Sequence, residues 1–80
     1  MTYRELDTIV LVRDVHGVGL RCGDTGTIVH VYSADAFEVE FVRASGATAA
    51  VLELSSSDVR PASDEDQLAV RKADAPSAAV

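Results

Sequence analysis

Tryptophan is absent from this 80-residue chain, cysteine occurs once, and phenylalanine and tyrosine occur twice each. Each scarcity excludes something. The lone thiol, Cys22, cannot close an internal disulfide, which rules out a small secreted scaffold stapled by disulfides and leads us to expect a reducing compartment. With so few aromatic residues the core must be built from Val, Leu and Ala, and the β-branched members of that set pack well on the pleated surface of short strands. Bases are scarce as well: 7 Lys and Arg stand against 13 Asp and Glu, a formal net charge of −6. Nucleic-acid binders gain affinity by neutralising phosphates with clustered Lys and Arg. The charge therefore argues against a nucleic-acid partner and for a protein partner with a basic surface. No apolar run approaches the roughly 20 residues that span a bilayer, and the opening MTYRELDTIV lacks the apolar stretch of a secretory signal. The expectation is no membrane association and a cytoplasmic location.

Size sets a further bound. A single small domain buries only about 60% of the surface its unfolded chain exposes, whereas substrate pockets take roughly 300–1,000 Å³. Interior space for a self-sufficient active site is therefore not expected, and the chain is read as a non-enzyme.

What is present reads as β structure. Thr8 to Val15 (TIVLVRDV) is a β-branched run, followed by His16 to Gly26, a loop holding four glycines in eleven residues. Glycine supplies backbone conformations that strands do not use. Thr25 to Tyr32 (TGTIVHVY) is the second strand. Ala36 to Arg43 is the clearest, because Phe37, Val39 and Phe41 alternate with Glu38 and Glu40, the period of a strand with one face buried. A Ser-Gly turn then leads into Thr48 to Leu54, in which Ala50, Leu52 and Leu54 share a face and Glu53 lies on the other. Ser55 to Asp58 is a polar tight turn or 3₁₀ segment, and DVRP is a short last strand ended by Pro61. Five short strands, a long first loop and a turn before the last strand describe an all-β, five-stranded SH3-like barrel over residues 1–61, since curling the sheet hides its edges. Residues 62–80 form an acidic, Ala-rich tail. Asp64, Glu65 and Asp66 precede Arg71 and Lys72, an order that favours a short helix, but isolated helices of that length are marginal. The tail is expected to be flexible or a short helix that orders against a partner.

Little in the sequence carries chemistry. GDTG, Gly23 to Gly26, enters a strand, whereas a phosphate-cradling loop leads into a helix and carries a Lys. Tight turning, with Asp24 bonding local N–H groups, is the expected role. The same stretch shares a Gly-x-x-Gly entry with the KOW motif of nucleic-acid-binding barrels, but its surroundings are acidic where that motif is basic. His16 and His30 are too far apart in sequence for a metal or catalytic pair, and Cys22 lacks a clear activating base. No catalytic, metal or cofactor residue is assigned. Glu38 and Glu40, with Glu53 across the hairpin, would form a solvated acidic contact face, with Tyr32 and Tyr3 as candidate anchors.

Over Glu5 to Pro61, the run from ELDTIVLVRDV through GDTGTIVHVY and AFEVEFV to VLELSSSDVRP resembles the DUF4926 family. The most specific pieces are Leu6-Asp7, Gly19-Leu20, Gly23-Asp24-x-Gly26-Thr27, Tyr32, Phe37 to Phe41, and Asp58-x-Arg60-Pro61. Cys22 departs from the family's usual polar or charged residue. The resemblance implies a bacterial protein with an SH3-like barrel that accompanies another protein, as an immunity protein or antitoxin, or as an accessory subunit like the barrel of the nitrile hydratase β subunit. It brings no catalytic residues. The leading expectation is a protein-interaction module that masks a basic surface, such as that of a toxin; edge-to-edge homodimerisation stays open because edge strands are ready templates.

Overall fold

A computed structural model describes residues 2–73. Five strands form one antiparallel sheet: β1 (Thr8–Leu11), β2 (Thr25–Ser33), β3 (Ala36–Val42), β4 (Thr48–Ser55) and β5 (Val59–Pro61), in the order β4-β3-β2-β1-β5. A 3₁₀ turn, Ser56–Asp58, joins β4 to β5 and is the only helical element among the described residues. Ile9, Leu11, Leu20, Ile28, Phe37, Val39, Phe41, Leu54 and Val59 form one buried cluster. Every strand contributes to it, and among the described residues no α-helix or second sheet covers it. A single antiparallel sheet sharing one core in this way is consistent with the expected SH3-like barrel.

β3 follows its alternation, with Phe37, Val39 and Phe41 buried between half-buried Glu38 and Glu40. β4 is in phase with it, because Leu54 is buried and Ala50 and Leu52 pack on the core from the edge. β2 breaks strict alternation. Its pairing with β3 shifts between Ile28 and His30 and again between Val31 and Ser33, so Val29 and Tyr32 are the extra residues of two bulges. The first bulge resets the phase: Ile28 is buried and Val31 packs on the core, while His30 and Tyr32 face out. An extra residue on one strand does this because side chains alternate with a period of two.

β1 ends at Leu11, short of the expected Val15. Val12 gives its N–H to the Asp58 carbonyl, and the Arg13 guanidinium reaches the Asp58 carboxylate at 2.6 Å. These bonds turn the chain toward the 3₁₀ segment. The glycine-rich loop beyond is less irregular than its composition suggests, because Val15 and Leu20 form a β-bridge. Residues 62–73 contain no helix, which corrects that alternative for the part of the tail described; residues 74–80 lie outside the described residues. Side-chain bonds connect the segment to the sheet and its loops. Arg60 grips the Asp66 carboxylate with two nitrogens at 2.9 and 2.7 Å, and Arg71 bonds both oxygens of Asp24 and the Gly19 carbonyl. These bonds offer the acidic and basic side chains partners that a short isolated helix would not supply.

Candidate functional face

The outward side of β2, β3 and β4 gathers most of the exposed chemistry. Glu38 lies directly opposite Glu53 on β4 and opposite His30 on β2, while Glu40 lies opposite Val51 and Thr27. Hydrogen bonding fixes which pairs are close. The Ser55 N–H donates to the Asp58 carboxylate at 2.9 Å, which places the Ala36–Ser55 pair, and by alternation the Glu38–Glu53 pair, among those that exchange no backbone bonds. Such pairs have the nearer side chains, with Cβ atoms about 4.5–5.5 Å apart. Two carboxylates in that relation repel.

Neighbours offset part of this repulsion. The Tyr32 hydroxyl donates to Glu38 Oε1 at 2.6 Å, and the Thr48 hydroxyl donates to Glu40 Oε2 at 2.7 Å. The His30 ring meets the Tyr32 ring edge-on, with centroids 4.6 Å apart, and its Nδ1 lies 3.8 Å from Glu5 Oε2. Glu53 makes no hydrogen bond or ion pair with another described residue. Its charge and that of Glu38 show their effect on Tyr32. The bond to Glu38 raises the phenol above its ordinary pKa, and desolvation and the two negative charges push the same way.

Glu38, Glu40, Glu53 and Tyr32 are thus brought together as the sequence suggested, with Tyr32 exposed. Tyr3 does not join them. Arg4 and Asp7 close a turn, the Asp7 N–H bonding the Arg4 carbonyl and the Arg4 N–H the Asp7 carboxylate. The preceding Tyr3 is half-buried on the core side with its ring 5.0 Å from that of Phe37. Sequence reasoning missed His30 and Glu5 as members of the face. The bulge at Val29 turns His30 outward, and no local motif announced it.

The face also carries apolar surface, since Val29, Val42 and Val51 are exposed. Leu6 lies beside β2, its N–H bonding the Ile28 carbonyl, and it has φ 75° and 81% exposure. A bulky residue in left-handed backbone with its side chain in water is an outlier that invites a functional explanation.

The remaining candidate features are structural. In GDTG, Gly23 has φ 95° and the Asp24 carboxylate accepts the Arg21 N–H at 2.9 Å, the local role expected of it. Cys22 is exposed, and its N–H bonds the Asp14 carboxylate at 2.8 Å. Among the described residues no three His, Cys, Asp or Glu side chains are grouped to hold a metal ion, and no helix is long and apolar enough to cross a membrane. A shallow depression of about 230 Å³ lies between Thr2, Tyr3, Asp7, Thr8, Pro61 and Ala62, below the roughly 300–1,000 Å³ of ordinary ligand pockets.

Comparison with known proteins adds one match. Residues 5–61 match the family described as Domain of unknown function (DUF4926). None of the curated proteins and none of the solved structures matches the chain.

Proposed function

The chain belongs to the DUF4926 family, and we propose that it is a non-catalytic protein-interaction module whose outward β2–β3–β4 face docks a basic surface of a partner protein. The observation that carries this reading is the Glu38–Glu53 pair, two carboxylates held opposite each other in register. Such a pair is a standing destabilisation that an incoming Lys or Arg would relieve. The net charge of −6 would speed the encounter with a basic partner. Exposed Val29, Val51 and Tyr32 supply apolar and aromatic contact within the acidic field, the mixture that interface centres use. An immunity protein or antitoxin that masks a basic toxin surface in the cytoplasm is the form this reading takes most directly.

The test is co-expression with the products of neighbouring genes, followed by purification of any stoichiometric complex. The E38K/E53K double variant should lose the complex while keeping its circular dichroism spectrum. If no protein co-purifies in stoichiometric amount, or if the double variant binds as well as the parent chain, the reading fails. The partner's own activity then sorts the two expected forms: it falls if the module masks a toxin and rises if the module is an accessory subunit.

A further inference from the structure

The two edges of the sheet are built differently. β5 is three residues long, ends in Pro61, and passes into Ala62, whose N–H returns to the Thr8 carbonyl at 3.2 Å. A short edge closed by proline is guarded against pairing. β4 has eight residues, contains neither proline nor lysine, and carries one charge, Glu53. Its register shift falls at Ala49, near its start; from Ala50 to Ser55 it runs in unbroken register with β3.

The hydrogen bonds show which backbone groups this edge presents. N–H and C=O point to the same side at each residue and alternate along a strand. Because the Ser55 N–H goes to Asp58 and not to β3, Val51 and Glu53 also direct theirs away from β3. The far side of the sheet agrees. Ile28 exchanges its backbone bonds with Leu6 and Asp7, so its pair with Val39 is not hydrogen-bonded, and Phe37, Val39 and Phe41 turn their groups toward β4. Among the described residues no strand lies beyond β4.

We propose that this edge, at Val51 and Glu53, takes up an extended basic segment of the partner protein as a sixth strand. The inference rests on the interaction-module reading and gives it a geometry, that of strand addition. Side chains select the occupant. On the outer side, the row His30, Glu38, Glu53 continues to a vacant position beside Glu53, where a Lys or Arg would sit within cross-strand reach of it, about 4.5–5.5 Å between Cβ atoms. On the inner side, Ala50 and Leu52 are only half-buried, so the incoming strand's inward residues are apolar. The segment alternates basic outward and apolar inward. A second copy of this chain is the poorer occupant, because β4 contains no cation and self-pairing would set two acidic rows side by side.

The full chain is titrated into a fluorescein-labelled peptide of eight residues alternating Lys and Val, with binding read by anisotropy. Backbone N-methylation of the peptide along one of its two edges should abolish binding, and N-methylation along the other edge should leave it intact. V51P removes an outward N–H without touching the β3 ladder, which edge positions tolerate, and should weaken binding at least about tenfold with the circular dichroism spectrum unchanged. E53Q should weaken it by a smaller factor. Equal binding by both N-methylated peptides and by V51P would overturn strand addition while leaving the acidic-face reading standing. So would a peptide of the same composition in two blocks, Lys then Val, that binds equally well. A homodimer in light scattering that V51P dissociates would also overturn the proposal, by giving the edge to a second copy.

Discussion

Gly26 stands so close to Val39 that a Cβ added to it would lie 2.7 Å from Val39 Cγ1, and 2.8 Å from Cε1 of the Phe41 ring. These distances are well inside van der Waals contact, and the atoms met belong to two buried core side chains. Gly26 is therefore required by space and not by backbone angle, unlike Gly23 with its φ of 95°. Gly26→Ala should destabilise the fold by about 1–3 kcal/mol, the usual range for overpacking. Urea unfolding should show a lower midpoint with an unchanged slope. Stability equal to that of the parent chain would mean that β2 and β3 are not packed this tightly.

Asp58 links three elements. Its carboxylate accepts from Arg13, on the segment after β1, and from the Ser55 N–H at the end of β4, while its carbonyl accepts the Val12 N–H. The Arg13 guanidinium, followed by the Ser55 N–H, lowers the Asp58 pKa below the ordinary carboxylate value. Because the folded value lies below the unfolded one, the stabilisation is present above the ordinary carboxylate range and is lost as pH falls through the folded value. Asp58→Asn should reduce stability at neutral pH by about 1 kcal/mol, comparable to a lost helix cap, and should flatten the acid limb of stability against pH. Thermal melts from neutral to acidic pH measure both effects, and an unchanged acid limb would remove Asp58 as their source.

Tyr32 reports on the acidic face directly. With the phenol raised by the bond to Glu38 and by the charges of Glu38 and Glu53, Glu38→Gln should bring its ionisation down toward the ordinary tyrosine value. Tyr3 and Tyr32 are the two tyrosines of the chain, so an alkaline absorbance titration of the parent and a Tyr3→Phe background isolates the signal. An ionisation that does not move would show that the hydroxyl does not rest on Glu38.

Leu6 holds a left-handed backbone conformation with a side chain that is 81% exposed. Left-handed backbone costs an L-residue about 1–2 kcal/mol. Glycine relieves that strain but loses more chain entropy on folding. Leu6→Gly should therefore leave stability unchanged or raise it by roughly 0.5–1 kcal/mol, while weakening any complex that uses Leu6 as an apolar contact. Chemical denaturation of the free chain and a binding titration separate the two effects. A large loss of stability would show that Leu6 is held for packing.

Legibility in the sequence followed locality. β3 was readable because both sides of its pattern are set by its own residues: Phe37, Val39 and Phe41 have no competing orientation, and β4 inherits its phase by hairpin pairing. The 3₁₀ turn was readable for the same reason, since Ser55 and Asp58 bond each other across three residues. What escaped depends on distant partners. Val29 bulges because β2 slips register against β3, Tyr3 turns inward because Phe37 offers its ring, and β1 stops early because Asp58 captures Val12 and Arg13. The acidic residues of the candidate face were found from alternation alone, but their direct opposition, Glu38 against Glu53, follows from a register that only the paired sheet defines.

The pairing of β1 with β5 sets Ile9 against Pro61 and Leu11 against Val59, residues separated by about fifty positions along the chain. Closing so long a loop must precede any reward from that pair, and its entropic cost grows with the logarithm of the loop length. The β2–β3–β4 meander has no such requirement, because its turns are short and its contacts local. High sequence separation slows folding, so the β1–β5 seam is the strand pairing that the topology penalises most. Ile9 and Leu11 are also held by the pairing of β1 with β2 and by the Asp24 and Gly23 backbone, so it is Val59 whose place in the core depends on that seam.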